Sequence, residues 1–186
     1  MAARTGMAGL ISRWRRLVDD PESEVWTDDQ AQQILDGQRV DFWREPLQPI
    51  ATGPSANIYQ VYRSRYRDME SAASGTMVWR VYDGAGATIG TAAYTTDYNL
   101  GVLMFAADQA GSARYLDGRT FDLNAAAASA WRERAAVTAR LYTFQADGGR
   151  YERSQWFEHC VKMADYFGAL ANGGMAVSVL DRTDVA

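Results

Sequence analysis

The chain has 186 residues, of which 47% are hydrophobic and 23% are charged, and its formal net charge is −4. This composition indicates a globular protein with a core of its own and argues against a wholly disordered chain, while the acidic balance argues against a basic sheath around nucleic acid. A single cysteine, Cys160, and a single histidine, His159, exclude an internal disulfide and a zinc site built from these two residue types.

The sequence lacks the signals of a membrane protein or of a nucleotide-cofactor enzyme. No apolar run approaches the roughly 18 residues of a membrane span. The apolar patch Met7–Ile11 is too short for a signal-peptide core and leads directly into arginines, so we expect a soluble intracellular product without a membrane partner. Gly84 and Gly86 lack the third glycine and the following helix of a dinucleotide-binding loop, and no cofactor is predicted.

Two short helices are predicted near the N-terminus. From Ala8 to Val18 the apolar residues fall on one face with arginines beside them, which favours a helix that packs on its own domain or on a neighbour. Thr27 and Gln30 form a capping box, and the helix that starts there ends at Gly37. The two aspartates between Thr27 and Gln30 face the positive end of this helix, which explains them without a metal ion.

The middle of the sequence changes from helical to strand-like patterns. Val40–Ile50 is predicted to be an irregular connector because it contains Pro46 and Pro49. Four strands of a small antiparallel β-module are predicted after it, within residues 58–67, 77–82, 88–93 and 102–106.

The first of these strands alternates arginines with tyrosines. Arg63, Arg65 and Arg67 fall on one face, and Tyr62 and Tyr66 fall on the other. Such a strand can bind single-stranded nucleic acid through stacking and charge. Protection of a sheet edge and contacts at a protein interface are the commoner uses of the same pattern.

Two long helices, Asp122–Thr143 and Arg153–Asn172, are predicted to form the core, with Asp122 as the N-cap of the first. The apolar stripe of the second helix consists of Trp156, Cys160, Met163, Phe167 and Leu170. His159 lies about 100° around the helix from Cys160, so the two do not converge into a nucleophile pair. We expect a buried thiol at Cys160 and an interface or surface residue at His159.

The C-terminal half contains three segments that occur together in one protein family. Thr120–Ala128 holds an aromatic-Asp-Leu helix start followed by alanines, Phe144–Gly148 is a Phe-x-Ala-Asp-Gly loop, and Arg153–Gln155 opens the next helix with Arg-Ser-Gln. In this order and spacing they closely resemble the head–tail adaptor (connector) proteins of tailed bacteriophages. Nearer the N-terminus, Arg16–Asp20 and Trp26–Asp29 resemble that family's first helix and second-helix cap.

The resemblance implies an α+β fold with a helical bundle core of about four helices and an inserted antiparallel β-module. The segments would be residues 1–50 for the N-terminal helices and connector, 51–118 for the β-module, 119–174 for the C-terminal helical hairpin, and 175–186 for an extended tail.

The resemblance also implies a structural function in the virion neck. Members of the family form a ring, commonly a dodecamer, beneath the portal protein, where the ring extends the DNA channel and joins capsid to tail. The expected partners are the portal, a tail or stopper protein, further copies of the chain, and double-stranded DNA that passes without specific binding. The acidic balance suits such a channel wall, because attracted phosphates would hold the DNA back. The family has no catalytic residues, so the chain is expected not to be an enzyme. The resemblance also implies that the chain is made in the host cytoplasm.

Candidate contacts lie in the two long helices, in the loop between them and in the tail. The candidate subunit-interface residues are Arg132, Arg140, Arg150, Arg153 and Gln155. The candidate portal-contact residues are Val177, Val179 and Leu180.

Two other functions are compatible with the residues. A non-enzymatic binding module could use the β-module to recognise a protein or single-stranded nucleic acid; it predicts a monomer or dimer, and binding that weakens with salt. An enzyme that uses carboxylates would need two acids in one cleft, and no spacing of Asp and Glu in the sequence demands such a pair.

Overall fold

The computed structural model describes residues 3–53, 58–71, 79–139, 145–146, 149–150 and 153–172. The chain divides into two compact units, Met1–Ala126 and Ala127–Ala186. Among the described residues, the first unit contains two α-helices, two short 3₁₀ helices, a seven-stranded sheet and the start of a third α-helix; the second contains the rest of that helix, a two-stranded hairpin and a fourth α-helix. No helix within the described ranges is long and apolar enough to cross a membrane.

Helices α1 (Ala8–Leu17) and α2 (Asp28–Asp36) confirm the two predicted N-terminal helices. The capping box of α2 is formed in both directions: the Thr27 hydroxyl accepts the Gln30 N–H at 3.3 Å, and the Gln30 side-chain oxygen accepts the Thr27 N–H at 2.9 Å. The apolar face of α1 is buried, and its Trp14 has no exposed surface. Both helices therefore begin and end where local sequence signals place them.

An antiparallel sheet forms the rest of the first unit. Its strands are β1 (Arg39–Ile50), β2 (Val61–Arg63), β3 (Arg80–Tyr82), β4 (Thr88–Ile89), β5 (Tyr94–Asp97), β6 (Val102–Phe105) and β7 (Arg114–Phe121), in the order β4-β3-β7-β1-β2-β6-β5. Strand β1 joins the two halves, because residues 39–47 pair with β7 and residues 48–50 pair with β2.

The predicted connector Val40–Ile50 is wrong, since these residues belong to the longest strand of the sheet. Pro46 pairs opposite β7 and Pro49 pairs opposite β2, so each proline lies where β1 has a neighbouring strand on one side only. A strand with one neighbour needs only every second N–H for its ladder, and a proline at an outward position removes no hydrogen bond.

Strand β7 has no strand-like pattern in the sequence, because Asp117 and Gly118 interrupt its apolar residues. Asp117 is buried and accepts hydrogen bonds from the Arg44 backbone N–H and the Tyr82 hydroxyl, both at 2.6 Å. Gly118 lies under the ring of Phe42, where a Cβ atom would come within 2.7 Å of the ring. Both residues thus fit the sheet through contacts made by other strands.

The hydrophobic core of the first unit lies on the sheet. Its buried members are Phe42, Leu47, Tyr62, Met69, Trp79, Val81, Tyr94, Leu103, Phe105 and Leu116. The protein is α+β, but the predicted helical bundle core with an inserted β-module is wrong. Because β1 precedes residues 51–118 and β7 runs past them, the sheet is the main structure of its unit and not an insertion.

The remaining elements are α3 (Leu123–Ala139), β8 (Gln145–Ala146), β9 (Gly149–Arg150), which pairs with β8, and α4 (Arg153–Asn172). The predicted N-cap of α3 is confirmed, since the Ala125 N–H donates to Asp122 Oδ1 at 2.9 Å. The bounds of α4 are those predicted. The predicted end of the first long helix at Thr143 and the predicted tail lie outside the described residues.

Candidate functional site

Helix α4 leaves much of its apolar surface in solvent. Cys160, Ala164 and Phe167 are buried, whereas both ends of the predicted stripe, Trp156 and Leu170, are 44% and 45% exposed. Four further large apolar side chains are exposed on α4 and on the helix before it, α3. They are Val137 on α3 and Phe157, Val161 and Tyr166 on α4. We call these four residues, together with Trp156 and Leu170, the helical apolar surface. At 100° per residue the exposed apolar residues of α4 lie on both flanks of its buried face, and large exposed apolar side chains in this number favour burial against a partner.

A cluster of rings fixes one part of this surface. The ring of Trp156 stacks on His159 at 5.3 Å and meets the buried Trp131 edge-on at 6.3 Å. The guanidinium of Arg134 lies 5.1 Å from the ring centre of Trp131 and 6.0 Å from that of Trp156. Cation–π and aromatic contacts of this kind hold a half-exposed tryptophan in one orientation.

The predicted roles of the Cys-His neighbours agree with their surroundings. Cys160 is fully buried, and burial raises the pKa of its thiol, so the thiol stays protonated. His159 is exposed and contacts Trp131 and Trp156. This arrangement suits a packing thiol and a surface imidazole.

The first unit carries a second exposed surface, made of charge. Arg63, Arg65 and Arg67 are exposed, and we call them the arginine ridge. The side chains that alternate with them, from Tyr62 to Tyr66, are buried or half-buried. Although β2 ends at Arg63, the predicted two-faced pattern of this segment is confirmed as far as Arg67.

Five charged side chains of the first unit form an ionic network. Arg4 pairs with Asp36 at 2.6 Å and with Glu70 at 2.9 Å, and Arg119 pairs with Glu70 at 3.3 Å and with Asp41 at 2.7 Å. The Glu70 side chain has no exposed surface. The hydrogen bond from Arg119 lowers the pKa of Asp41 below its ordinary value. All three acids of the network pair with arginines, which favours a stabilising role over acid–base chemistry.

Carboxylate and metal chemistry have little support in the described ranges. Burial raises the pKa of Glu45, and its ion-pair partner at 2.9 Å is Arg65, not a second acid. No group of three or more His, Cys, Asp or Glu residues in the described part of the chain could hold a metal ion.

A cleft of about 490 Å³ lies between the start of α1 and the turn after β5. Its lining residues include Thr5, Gly9, Leu10, Met69, Ser71, Asp97 and Tyr98. Its one charged lining side chain, Asp97, accepts the N–H groups of Asn99 and Leu100 at 2.9 and 3.1 Å. That carboxylate serves the turn, and the other polar side chains that line the cleft are uncharged: Thr5, Ser71, Thr96, Tyr98 and Asn99.

The predicted contact residues fall unevenly on the structure. Arg132 is exposed on α3, and its guanidinium lies near Gly168 of α4. Gln155 is exposed at the start of α4. Arg150 and Arg153 lie in β9 and α4, and their side chains are outside the described set. Arg140, Val177, Val179 and Leu180 lie outside the described residues.

Trp43 is an exposed aromatic residue that the sequence-based strand assignments do not single out. Trp43 is 61% exposed at a bulge of β1, beside Arg44, which has φ 52°. The Arg44 guanidinium covers the Tyr82 ring at 3.4 Å. Neighbouring residues of a strand face opposite sides, and the core buries the Phe42 ring and leaves the Trp43 ring exposed.

Comparison with models of protein families, with curated proteins and with solved structures finds no match to this chain.

Proposed function

We propose that the chain is a structural protein of a phage neck, a head–tail adaptor that forms a ring beneath the portal and joins capsid to tail. The observation that carries the proposal is the helical apolar surface. It is borne by α3 and α4, the two helices whose starts carry two of the three family-like segments. The partners are the portal, a tail-side protein and further copies of the chain.

The helical apolar surface favours association because its exposure is costly. Burying one large apolar side chain contributes about 1.5–3 kcal/mol, and six such residues share this surface. The ring cluster around Trp156 supplies an oriented aromatic anchor, the residue type that dominates interface energetics. Repetition of one heterologous contact would close a ring.

The support does not come from the fold of the core. The resemblance implies a helical core, and the core of the first unit is a sheet. The proposal therefore depends on the three sequence segments and on the helical apolar surface.

The test is to mix the chain with a portal assembly and to image the product. The expected result is stoichiometric decoration of the narrow end of the portal. A double variant, Val137→Glu with Leu170→Glu, is expected to abolish decoration because it places charges on the helical apolar surface.

The matched control is Val40→Glu with Met104→Glu, which charges two exposed apolar positions of the first unit. This control is expected to decorate the portal as the unmodified chain does. Absence of decoration by the unmodified chain would overturn the proposed function. Loss of decoration by the control alone would indicate that the portal-binding interface lies on the sheet.

The alternative, a binding module that uses the sheet, has support from Trp43 and the arginine ridge, both exposed on the first unit. It predicts a monomer or dimer that binds its partner less tightly as salt increases. Light scattering of the mixture measures the mass that the chain adds to the portal. This added mass distinguishes a ring of many copies from the binding of a monomer or dimer.

A further inference from the structure

The backbone that carries the arginine ridge is held in place by the turn before β6. The Ser64 N–H donates to the Gly101 carbonyl at 2.8 Å, and the Asp68 N–H donates to the Asn99 carbonyl at 3.2 Å. Gly101 has φ 67°, and a Cβ atom there would lie 2.0 Å from the Tyr66 carbonyl oxygen. The ridge is therefore pre-organised, which lowers the entropy cost of binding.

Two of the three ridge arginines have no acidic partner among the described residues. Arg65 pairs with Glu45, whereas Arg63 and Arg67 are exposed without an ion pair in those ranges. A guanidinium presents a planar fork of N–H donors that matches a phosphate group. Arg63 and Arg67 are thus available for an anionic partner.

Helix α1 adds positive charge beside the ridge. Arg13 pairs with Asp68, directly after the ridge, at 2.6 Å, which neutralises that acid. Arg16 lies one turn farther along α1 and is exposed. On the other side of β2, across β6, Asp97 lies two strands away in the same cross-strand row as Arg63. A net positive patch therefore exists on a chain of net charge −4.

The tyrosines that alternate with the ridge are occupied. Tyr62 is fully buried, and its hydroxyl donates to the Ser112 carbonyl at 2.9 Å. The Tyr66 ring stacks on Phe42 at 4.4 Å, and the Arg65 guanidinium lies over it at 4.8 Å. Neither ring is open to a nucleic-acid base. Stacking of bases on these tyrosines is therefore disfavoured, and the charge of the arginines remains as the means of binding.

We infer that the arginine ridge, with Arg16, binds the phosphate backbone of double-stranded DNA without reading its sequence. The ridge spans at most about 14 Å of chain. Over that length one strand of a duplex presents about four phosphates. The inference deepens the proposed neck function, on which it rests for the presence of DNA: the ring would touch the passing duplex at a confined basic patch, while the acidic remainder keeps the contact weak.

The test measures binding of the full chain to a short labelled DNA duplex by fluorescence anisotropy at several salt concentrations. The double variant Arg63→Gln with Arg67→Gln is expected to weaken binding on the order of tenfold or more at low salt and to lower the slope of log affinity against log salt by about 2. This variant leaves the ion pair of Arg65 with Glu45 in place. Unchanged thermal unfolding would show that the fold is intact.

The matched control is Arg80→Gln with Lys162→Gln, because both cationic side chains are exposed and neither forms an ion pair within the described ranges. It removes the same net charge and is expected to retain the duplex affinity and salt slope. Equal losses in both double variants would show a general charge effect and would overturn the inference.

Two other probes separate the sources of phosphate. Single-stranded DNA of the same length is expected to bind no more tightly than the duplex, since neither tyrosine that alternates with the ridge is open for stacking. Tighter single-strand binding, or binding to phosphatidylserine vesicles without binding to DNA, would overturn the assignment to duplex DNA.

The portal-decoration assay on the Arg63→Gln, Arg67→Gln variant keeps the two proposals distinguishable. Decoration is expected to persist, because the ridge lies outside the helical apolar surface. Decoration by the unmodified chain without any DNA binding would remove this inference and leave the adaptor function. DNA binding at the ridge without decoration would remove the adaptor function instead.

Discussion

Helices α1 and α4 both carry apolar residues at helical spacing, and they are buried to very different extents. The apolar side of α1 is covered: Leu10, Ile11 and Trp14 are at most 4% exposed. On α4, Tyr166 and Leu170 are 58% and 45% exposed. An apolar stripe in a sequence therefore identifies a face to be covered, and only the structure shows whether the same chain covers it.

The first unit also buries part of its charge in an internal ionic network, whereas the described charged side chains of α4 face solvent. Glu70 lies between Arg4 and Arg119 with no exposed surface, and Glu158 on α4 is exposed. Buried contacts within the first unit therefore contribute to its stability. Matched substitutions in the two regions should make this difference measurable.

The largest expected effect is in α1. Trp14→Ala removes a fully buried ring that packs edge-on against Trp26 at 5.4 Å, and it should lower the free energy of unfolding by about 3–5 kcal/mol. Tyr166→Ala on α4 should change it by less than about 0.5 kcal/mol. Urea denaturation of both variants measures the difference. Equal losses would show that α4 is covered as fully as α1.

A smaller loss is expected at the ionic network. Glu70→Gln keeps the shape of the side chain but leaves Arg4 and Arg119 without their buried carboxylate, and the expected cost is about 3 kcal/mol. Glu158→Gln is the exposed counterpart and should be close to neutral. Thermal unfolding at neutral pH compares the two. A neutral Glu70→Gln variant would mean that water or another acceptor takes over the hydrogen bonds that Arg4 and Arg119 donate to the carboxylate.

The parts of the fold that follow from the sequence are those set by local chemistry. The capping box of Thr27 and Gln30, the N-cap Asp122 and the extent of α4 depend on neighbouring residues along the chain, and each prediction is confirmed. The two-faced pattern at the arginine ridge is local in the same sense.

The strands β1 and β7 could not be found in this way, because partners distant in sequence make them possible. Pro49 is tolerated because only β2 lies beside that part of β1, and Asp117 is tolerated because Arg44 and Tyr82 donate to it. Without these strands the sheet looks like an insertion, and the long helices look like the core. The helical apolar surface was equally hidden, since a sequence shows which residues are apolar but not which ones the fold leaves uncovered.

The smallest expected effect is a dependence of stability on pH at the edge of the ionic network. The pKa of Asp41 is lowered in the folded chain by the Arg119 hydrogen bond, so ionised Asp41 stabilises the fold above the ordinary value of 3.8. This contribution is lost as pH falls through the lower folded pKa. Because 34% of the Asp41 side chain is exposed, solvent screening should limit the contribution to less than about 1 kcal/mol.

Comparison of the unmodified chain with Asp41→Asn isolates that contribution from the other acids. The difference in the free energy of unfolding should be present at pH 6 and should shrink as pH falls below about 4, since the asparagine does not titrate. Asp165→Asn on α4 is the counterpart in the second unit, because Asp165 is exposed and has no ion pair within the described ranges. Its difference from the unmodified chain should stay near zero throughout. If the difference in the free energy of unfolding between the unmodified chain and Asp41→Asn did not change with pH, the Asp41–Arg119 contact would contribute no charge-dependent stability.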